Sequence, residues 1–537
     1  MNMRKLLFLL SGFVFSYSNL FAGGGNKLPL IPEPASVVHV RTNFSLSDSV
    51  VILAPDNCWE ASYFSDYVNE NYGIHLHFVK RIRQGKRAII FTIKEDTAIK
   101  EEGYLLNVAA DEIRITASTS AGAFYAVQTL IQLLPFEHAA KIKIPSVAIA
   151  DEPQYKWRGM HLDCSRHFFT KAEVEKYLDL MAMYKFNIFH WHLTDDQGWR
   201  IEIKRYPLLT QISSMRKETV IGHPKDTGNK FDGKPYGGFY SQDDIKEIVA
   251  YAAQRHITIV PEIEMPGHSV AALAAYPQYS CTGGPFEPLT VWGVSQDVFC
   301  AGNDSTFTFL ENILTEVCAL FPGQYIHIGG DECPKDRWKV CPKCQARIKN
   351  EHLVNEQDLQ GYFIKRIVAF LSTKGKTAIG WDEILEGGLA PDAMVMSWRG
   401  EEGGITAAEQ HHYVVMSPGN PCYFDHYQSK KTDKEPLAIG GYNPLKAVYD
   451  YNPTPNKMDD YYKPYIMGAQ GNVWSEYMPD FAEVEYMAVP RMCALSEVLW
   501  SDPAYKNYGN FLKRLTMQSK WLDAMNVHYD KEFLHEK

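Results

Sequence analysis

The chain has no run of Lys and Arg long enough to grip a polyanion, and its 54 basic residues are outnumbered by 64 acidic ones. Sequence-independent nucleic-acid binding is therefore a poor first reading. Beyond residue 22 no stretch is long and apolar enough to span a bilayer. Cysteine is sparse as well, since ten in 537 residues is no disulfide scaffold. With 45% hydrophobic and 22% charged residues, disorder is excluded and a large core can form without disulfides or metals. What is plentiful is aromatic: 31 Tyr, 27 Phe and 11 Trp. Tyr and Trp present flat faces with polar edges, the surface that recognition sites favour. The length suits two to four domains, or one large barrel with an accessory domain.

At the start, Arg4 and Lys5 precede an apolar run from Leu6 to Phe15, and a weaker polar patch ends at Leu20-Phe21-Ala22. Residues 1 to 22 read as a cleaved signal peptide, so an exported protein is expected, periplasmic or extracellular. A membrane anchor is disfavoured because the run is interrupted by Ser11, Ser16, Ser18 and Asn19. Two groups of cysteines stand out further on. Cys281 and Cys300 flank a Gly/Pro/Trp-rich stretch that a bridge could close, and Cys333, Cys341 and Cys344 follow one another as C-x7-C-x2-C. A zinc knuckle at the latter would need a fourth ligand, for which only His352 is near in sequence. Disulfides or free thiols are expected instead, with the pairing open.

Residues 23 to 152 alternate β-rich runs (Val50 to Leu53, Ala88 to Ile93, Ile113 to Thr116) with an amphipathic segment carrying Phe124, Val127, Ile131 and Leu134. They predict a small α/β accessory domain ending near Asp151-Glu152-Pro153. From Trp157 onward eight short apolar runs alternate with helical stretches: Gly159 to Leu162, Phe186 to His192, Ile257 to Ile263, Tyr325 to Ile328, Thr377 to Trp381, Ala393 to Trp398, Tyr413 to Met416 and Ile466 to Trp474. Thr170-x-x-Glu173 and Ser241-x-x-Asp244 announce two of the helices as capping boxes. This pattern predicts a (β/α)8 TIM barrel over residues 153 to 505, followed by a helical segment over 506 to 537.

Barrel enzymes carry their chemistry at the C-terminal ends of the strands. Those ends hold Asp163 and Arg166, Asp195 and Asp196, Glu264 and His268, Asp331 and Glu332, Trp381-Asp382-Glu383, Trp398-Arg399, and Trp474 with Glu476. Solvated loop charges would explain one or two such ends, not nearly all eight. Carboxylates interleaved with Trp suit a sugar, whose C–H faces stack on aromatic rings and whose hydroxyls need charged partners. Hydrolysis of a glycosidic bond needs a general acid and a stabiliser of the oxocarbenium-like centre. The adjacent Asp331 and Glu332 cannot easily flank one sugar as acid and opposed nucleophile, which favours a nucleophile supplied by the substrate, such as the carbonyl of a 2-acetamido group.

Gly329-Gly330-Asp331-Glu332, the segment His190 to Asp196, and Pro261-Glu262-Ile263-Glu264-Met265-Pro266-Gly267-His268 together resemble glycoside hydrolase family 20, the β-N-acetylhexosaminidases. The likeness extends to Arg158-Gly159, Ser165-Arg166-His167-Phe168, Gly380 to Glu383, Met396 to Arg399 and Val473 to Glu476, and spans residues 155 to 500. The resemblance implies an exo-acting, retaining hydrolase of terminal β-linked GlcNAc or GalNAc, with N-acetylhexosamine glycans as partners, no nucleic acid, no membrane span, no cofactor and no metal. It implies Glu332 as general acid/base, Asp331 as the residue holding the acetamido nitrogen, and Tyr427 on the acetamido oxygen. Trp381, Trp398 and Trp474 would wall the pocket. Arg166 would grip ring hydroxyls, Asp425 and Glu476 would read O4 and O6, and Asp195 and His268 would tune Glu332 from behind, with neighbouring carboxylate charge keeping it protonated. Glu264 departs from the Asp many members carry there.

Two other readings compete. His190 and His192 share a strand face and, with His268 and His327, could serve a metal-dependent barrel hydrolase; buried core histidines are the blander account of the first pair. A glycan-binding barrel without chemistry would have lost its acid, and Glu332 is present.

Overall fold

The computed structural model describes residues 28–136 and 141–535. The expected signal peptide lies outside the described residues. Seven strands form the first sheet: β1 (Ser36–Leu46), β2 (Val51–Leu53), β3 (His77–Phe78), β4 (Ala88–Ile93), β5 (Tyr104–Val108), β6 (Glu112–Ala117) and β7 (Ile142–Asp151), in the order β1-β7-β5-β6-β4-β2-β3. Pairing is antiparallel from β1 to β6 and parallel from β6 to β3. Alternation along β5, with Tyr104, Leu106 and Val108 buried and Leu105 and Asn107 exposed, leaves one face in water. The other face receives helix α1 (Trp59–Tyr72) and helix α2 (Ser120–Gln132). From Gly122 onward every residue of α2 is buried, because it lies between this sheet and the second unit.

Eight parallel strands then close a barrel: β8 (Trp157–Asp163), β9 (Ile188–His192), β10 (Thr258–Glu262), β11 (Tyr325–His327), β12 (Thr377–Trp381), β13 (Met394–Ser397), β14 (Val414–Met416) and β15 (Ile466–Gly471), with β15 pairing back onto β8. Each of the eight apolar runs read in the sequence supplies one strand, and the barrel with a preceding α/β layer is the fold class expected. Side chains on both faces of β8 are buried, as a parallel sheet covered by helices requires. Both capping boxes form: Thr170 caps Lys171–Met183 and Ser241 caps Gln242–Gln254, each with its reciprocal carboxylate.

The two units are joined by buried ion pairs. Arg158 at the start of the barrel pairs with Glu102 at 2.7 Å, and Lys185 with Asp151 at 2.9 Å. Trp500 donates its indole N–H to Asp151 at 2.9 Å. Helix Tyr508–Ala524 completes the packing, its Arg514 gripping Glu497 and the Leu30 carbonyl. No helix of the described residues is long and apolar enough to cross a membrane.

Inside the barrel, Trp157, Ile188, Val260, Ile379, Met394, Met396 and Val415 form an apolar plug. Above it the inward positions turn polar. The Glu262 carboxylate gathers His190 Nε2 at 3.0 Å, His327 Nδ1 at 2.8 Å, His192 Nδ1, and the indole N–H of Trp381 at 2.8 Å. His190 and His192 are therefore core groups around a buried carboxylate, and neither faces the pocket described next. Both ring nitrogens of His192 lie on carboxylates, Glu262 and Asp195.

Candidate active site

A pocket of about 590 Å³ opens at the C-terminal end of the barrel. Ten residues singled out in the sequence line it: Arg166, His268, Asp331, Glu332, Trp381, Trp398, Arg399, Asp425, Trp474 and Glu476. Trp381 and Trp474 lie against each other with ring centroids 5.8 Å apart, and the Arg166 guanidinium sits 5.1 Å over the Trp474 ring.

Local geometry fixes the carboxylates. After β11 the chain turns sharply through Gly329 (φ +65°) and Gly330 (φ +97°), and Glu332 itself adopts φ +42°. A Cβ on Gly329 would stand 1.8 Å from Glu264 Oε2, so only glycine lets the turn pass over that buried carboxyl. The Asp331 side chain is 13% exposed and the Glu332 side chain 43%, placing the first beneath and the second at the rim. His268 bridges them to the protein interior. Its Nε2 lies 3.6 Å from Asp331 and 3.4 Å from Glu332, while Nδ1 lies 3.2 Å from Asp195 and 3.4 Å from Asp196. Asp195 stands behind the pocket wall, where it also receives Arg166 Nη2 at 2.8 Å and His192 Nε2 at 2.9 Å. Asp163 accepts the backbone N–H groups of Ser165, Arg166 and Ser475, tying the loop after β8 to the loop after β15.

This wiring sets the charges. Burial alone would neutralise His268, but Asp195 and its neighbours outweigh burial and hold its pKa well above the ordinary value. His192, between Glu262 and Asp195, is pushed up to about 10 in the same way, against its burial. Glu332, hydrogen-bonded to the His268 cation, is held below the usual carboxylate range. That corrects the expectation that neighbouring carboxylates keep Glu332 protonated: the nearest partner of Glu332 is a cation. The raised carboxyls lie elsewhere. Burial lifts Asp331 to about 6 despite His268, and burial with the Asp331 charge lifts Glu383 to about 8. Burial, reinforced by Glu476, raises Asp425 well above its normal value.

Tyr427 is corrected too. It does not line the pocket; its ring packs against the hydrophobic core, and its backbone N–H donates to the Gly440 carbonyl at 3.3 Å. The tyrosine in the pocket is Tyr423, stacked on Trp398 with centroids 6.1 Å apart. Tyr423 sits at an isolated bridge to Asn472 and Asp425 in the turn that follows, so no strand or helix period pointed to it. Two residues named in the sequence without a role acquire one here: Glu383 accepts the Trp398 indole N–H at 2.9 Å, and Glu262 is the hub beneath the floor. Three buried carboxylate oxygens at the pocket, Asp331 Oδ1, Asp425 Oδ1 and Glu476 Oε2, have no hydrogen-bond partner among the described residues. Buried acceptors of that kind are costly unless a donor meets them.

Known proteins resemble this chain over both of its units. The pattern described as glycosyl hydrolase family 20, catalytic domain, matches residues 155–503, and that described as glycosyl hydrolase family 20, domain 2, matches residues 27–152. A β-hexosaminidase of Porphyromonas gingivalis is 45% identical over 93% of this chain, which spans 64% of that relative's length. An exo β-N-acetylglucosaminidase of Vibrio harveyi, solved in complex with N-acetylglucosamine, superposes with a TM-score of 0.83 at 30% identity, covering 96% of this chain and 80% of that one. A β-N-acetylhexosaminidase of Bacteroides fragilis superposes at 0.80 with 31% identity, covering 94% and 97%.

Proposed function

The chain belongs to glycosyl hydrolase family 20, and from that premise we propose that it is an exo-acting β-N-acetylhexosaminidase that removes terminal GlcNAc or GalNAc with retention of configuration. The observation that carries this reading is the set of unpartnered buried oxygens on Asp331, Asp425 and Glu476 around a tryptophan floor. A hexosamine supplies the matching donors: an amide N–H for Asp331, and O4 and O6 hydroxyls for Asp425 and Glu476. Its C–H face stacks on Trp381 and Trp474, with Arg166 beside them.

In the first step the acetamido carbonyl oxygen attacks C1 as the C1–O bond to the leaving group breaks. The departing oxygen takes a proton from Glu332, which must enter the step as the acid, and displacement of water by the sugar favours that form by removing solvation of its anion. Asp331 holds the amide N–H as positive charge develops on the oxazolinium ring, and the Tyr423 hydroxyl donates to the acetamido oxygen. Water then attacks C1, giving its proton to Glu332, and the C1–O bond to the acetamido oxygen breaks to restore the amide. The two inversions leave the β configuration.

The test is hydrolysis of a chromogenic β-GlcNAc glycoside by the wild type and by Glu332→Gln. Turnover by the wild type and a loss of about 10²–10⁴-fold in the variant are expected; no turnover, or equal turnover, refutes the reading. A thiazoline mimic of the cyclised intermediate should inhibit at low concentration, and an unaffected rate would point to a protein nucleophile. Export to the periplasm or beyond belongs to the same proposal, resting on residues 1 to 22, and a mature amino terminus near residue 23 on protein recovered outside the cytoplasm would support it.

A further inference from the structure

Four cysteines from two separate loops meet on the flank of the barrel. Cys281 and Cys300 close the loop that follows β10, and Cys341 and Cys344 open the helix Pro342–Asn350 as a Cys-Pro-Lys-Cys turn. Their four sulfurs lie within 4.8 Å of one another. Cys333 and His352, the neighbours that sequence spacing offered, are not part of the group. We propose that Cys281, Cys300, Cys341 and Cys344 form a structural zinc site, independent of the catalytic pocket.

Three of the six sulfur–sulfur spacings match the edge of a tetrahedron around an ion. A Zn–S bond of about 2.3 Å gives a tetrahedral edge of about 3.8 Å, and the sulfurs of Cys281 and Cys344, Cys300 and Cys344, and Cys300 and Cys341 are 3.7, 3.7 and 3.8 Å apart. Cys344 is equally close to two sulfurs, and Cys300 has two within 0.1 Å of the same spacing. A disulfide gives each sulfur one partner, whereas a tetrahedron gives each sulfur several at one spacing. Binding balances as four thiols and one Zn²⁺ giving a tetrathiolate and four protons, with no oxidant required.

The surrounding backbone is shaped for that role. Gly302 lies flat on the Cys-Pro-Lys-Cys turn, so that a Cβ there would stand 2.1 Å from the Lys343 carbonyl carbon and 2.3 Å from the Cys344 nitrogen. The Cys300 N–H donates to the Tyr279 carbonyl at 2.8 Å and the Trp338 indole N–H to the Phe299 carbonyl at 2.9 Å, which holds the two loops in register. Four thiols this close in an exported protein would otherwise be exposed to oxidation, and ligation protects them.

The site has a use. The loop between Cys281 and Cys300 reaches the active site, where the Val291 carbonyl accepts from Gln197, whose side-chain oxygen accepts from Arg166. The facing loop continues from Asp331 and Glu332. Zinc would therefore staple together the two loops that bear on the pocket.

Elemental analysis of purified full-length protein after exhaustive buffer exchange tests this. About one zinc per chain is expected, falling below about a tenth in Cys341→Ser/Cys344→Ser and retained in Cys344→His, which keeps an acceptable ligand set. Should the Ser variant fail to fold, the wild type alone decides. Its thiols, counted in denaturant with chelator, should number ten, and Co²⁺ exchanged into the site should give the visible d–d bands of a tetrahedral tetrathiolate. Ten thiols without zinc, six thiols from two disulfides, or iron in place of zinc would each overturn the proposal. None of these readouts depends on glycosidase activity.

Discussion

Replacing Asp331 by Asn should make the fold more stable while removing most of its activity. The carboxyl group sits beneath the pocket with a pKa raised from 3.8 to about 6, burial outweighing the His268 cation. A carboxyl that the folded state protonates more readily than the unfolded chain does costs about 3 kcal/mol once the pH is above both values. The sign follows from proton binding. Below about pH 4 the group is protonated in both states and costs nothing; between 4 and 6 the folded state binds more protons, so stability falls as pH rises; above about 6 the full penalty applies. Asn keeps the shape without the charge. Its melting temperature should therefore match the wild type near pH 4 and exceed it by about 3 °C at pH 7.5, while kcat/KM on a chromogenic β-GlcNAc glycoside falls about 10²–10³-fold. Thermal unfolding of both proteins at half-unit steps from pH 4 to 8 measures the difference directly. A gap independent of pH, or an Asn variant less stable at pH 7.5, would refute the account of why this carboxyl is raised.

Two further substitutions probe other parts of the site. Tyr423→Phe should lower kcat/KM by about 10–100-fold, the worth of one hydrogen bond to a group gaining charge, while Tyr427→Phe should stay within about twofold; the reverse ranking would restore Tyr427 to the pocket. Gly329→Ala forces a Cβ to 1.8 Å from Glu264 Oε2 at φ +65°, and should destabilise by about 3 kcal/mol or more, read as a lower denaturant midpoint than in an alanine substitution at the open Gly85.

The barrel was legible because its strands are buried on both faces and write themselves as short apolar runs, each ended by polar residues that the fold must place at one mouth. Strand-end carboxylates and tryptophans were legible for the same reason. Tyr423 was not, because it lies in an irregular stretch after β14 where neither period applies, and a tyrosine four residues on competes for the same role. The direction of the Glu332 shift was missed because it depends on His268, whose charge is set in turn by Asp195 and Asp196 across a turn with φ +46° at His268 itself. The cysteine cluster was half legible. A Cys-x-x-Cys turn marks two ligands, but the partners lie some 40 to 60 positions earlier in a loop whose path no local pattern predicts.

Charge distribution links the hidden parts of the site to its chemistry. Two cations, Arg166 and His268, stand at one side of the pocket, and the carboxylates they touch, Asp163, Asp195 and Glu332, are held ionised. Asp331 touches His268 as well, but burial outweighs that contact and its pKa rises; burial likewise outweighs Arg166 at Glu476, 3.6 Å away, and raises Asp425 and Glu383. A pocket arranged in this way has no surplus cation to attract an anion, and it offers acceptors that become stronger once a neutral donor reaches them. A neutral sugar with an amide and several hydroxyls satisfies such a site without adding charge, and the cation that develops at C1 appears beside Asp331, one of the carboxyls whose ionised form the empty protein disfavours. The stability lost in keeping that group charged at neutral pH is thus recovered in the transition state, where its charge is finally paired.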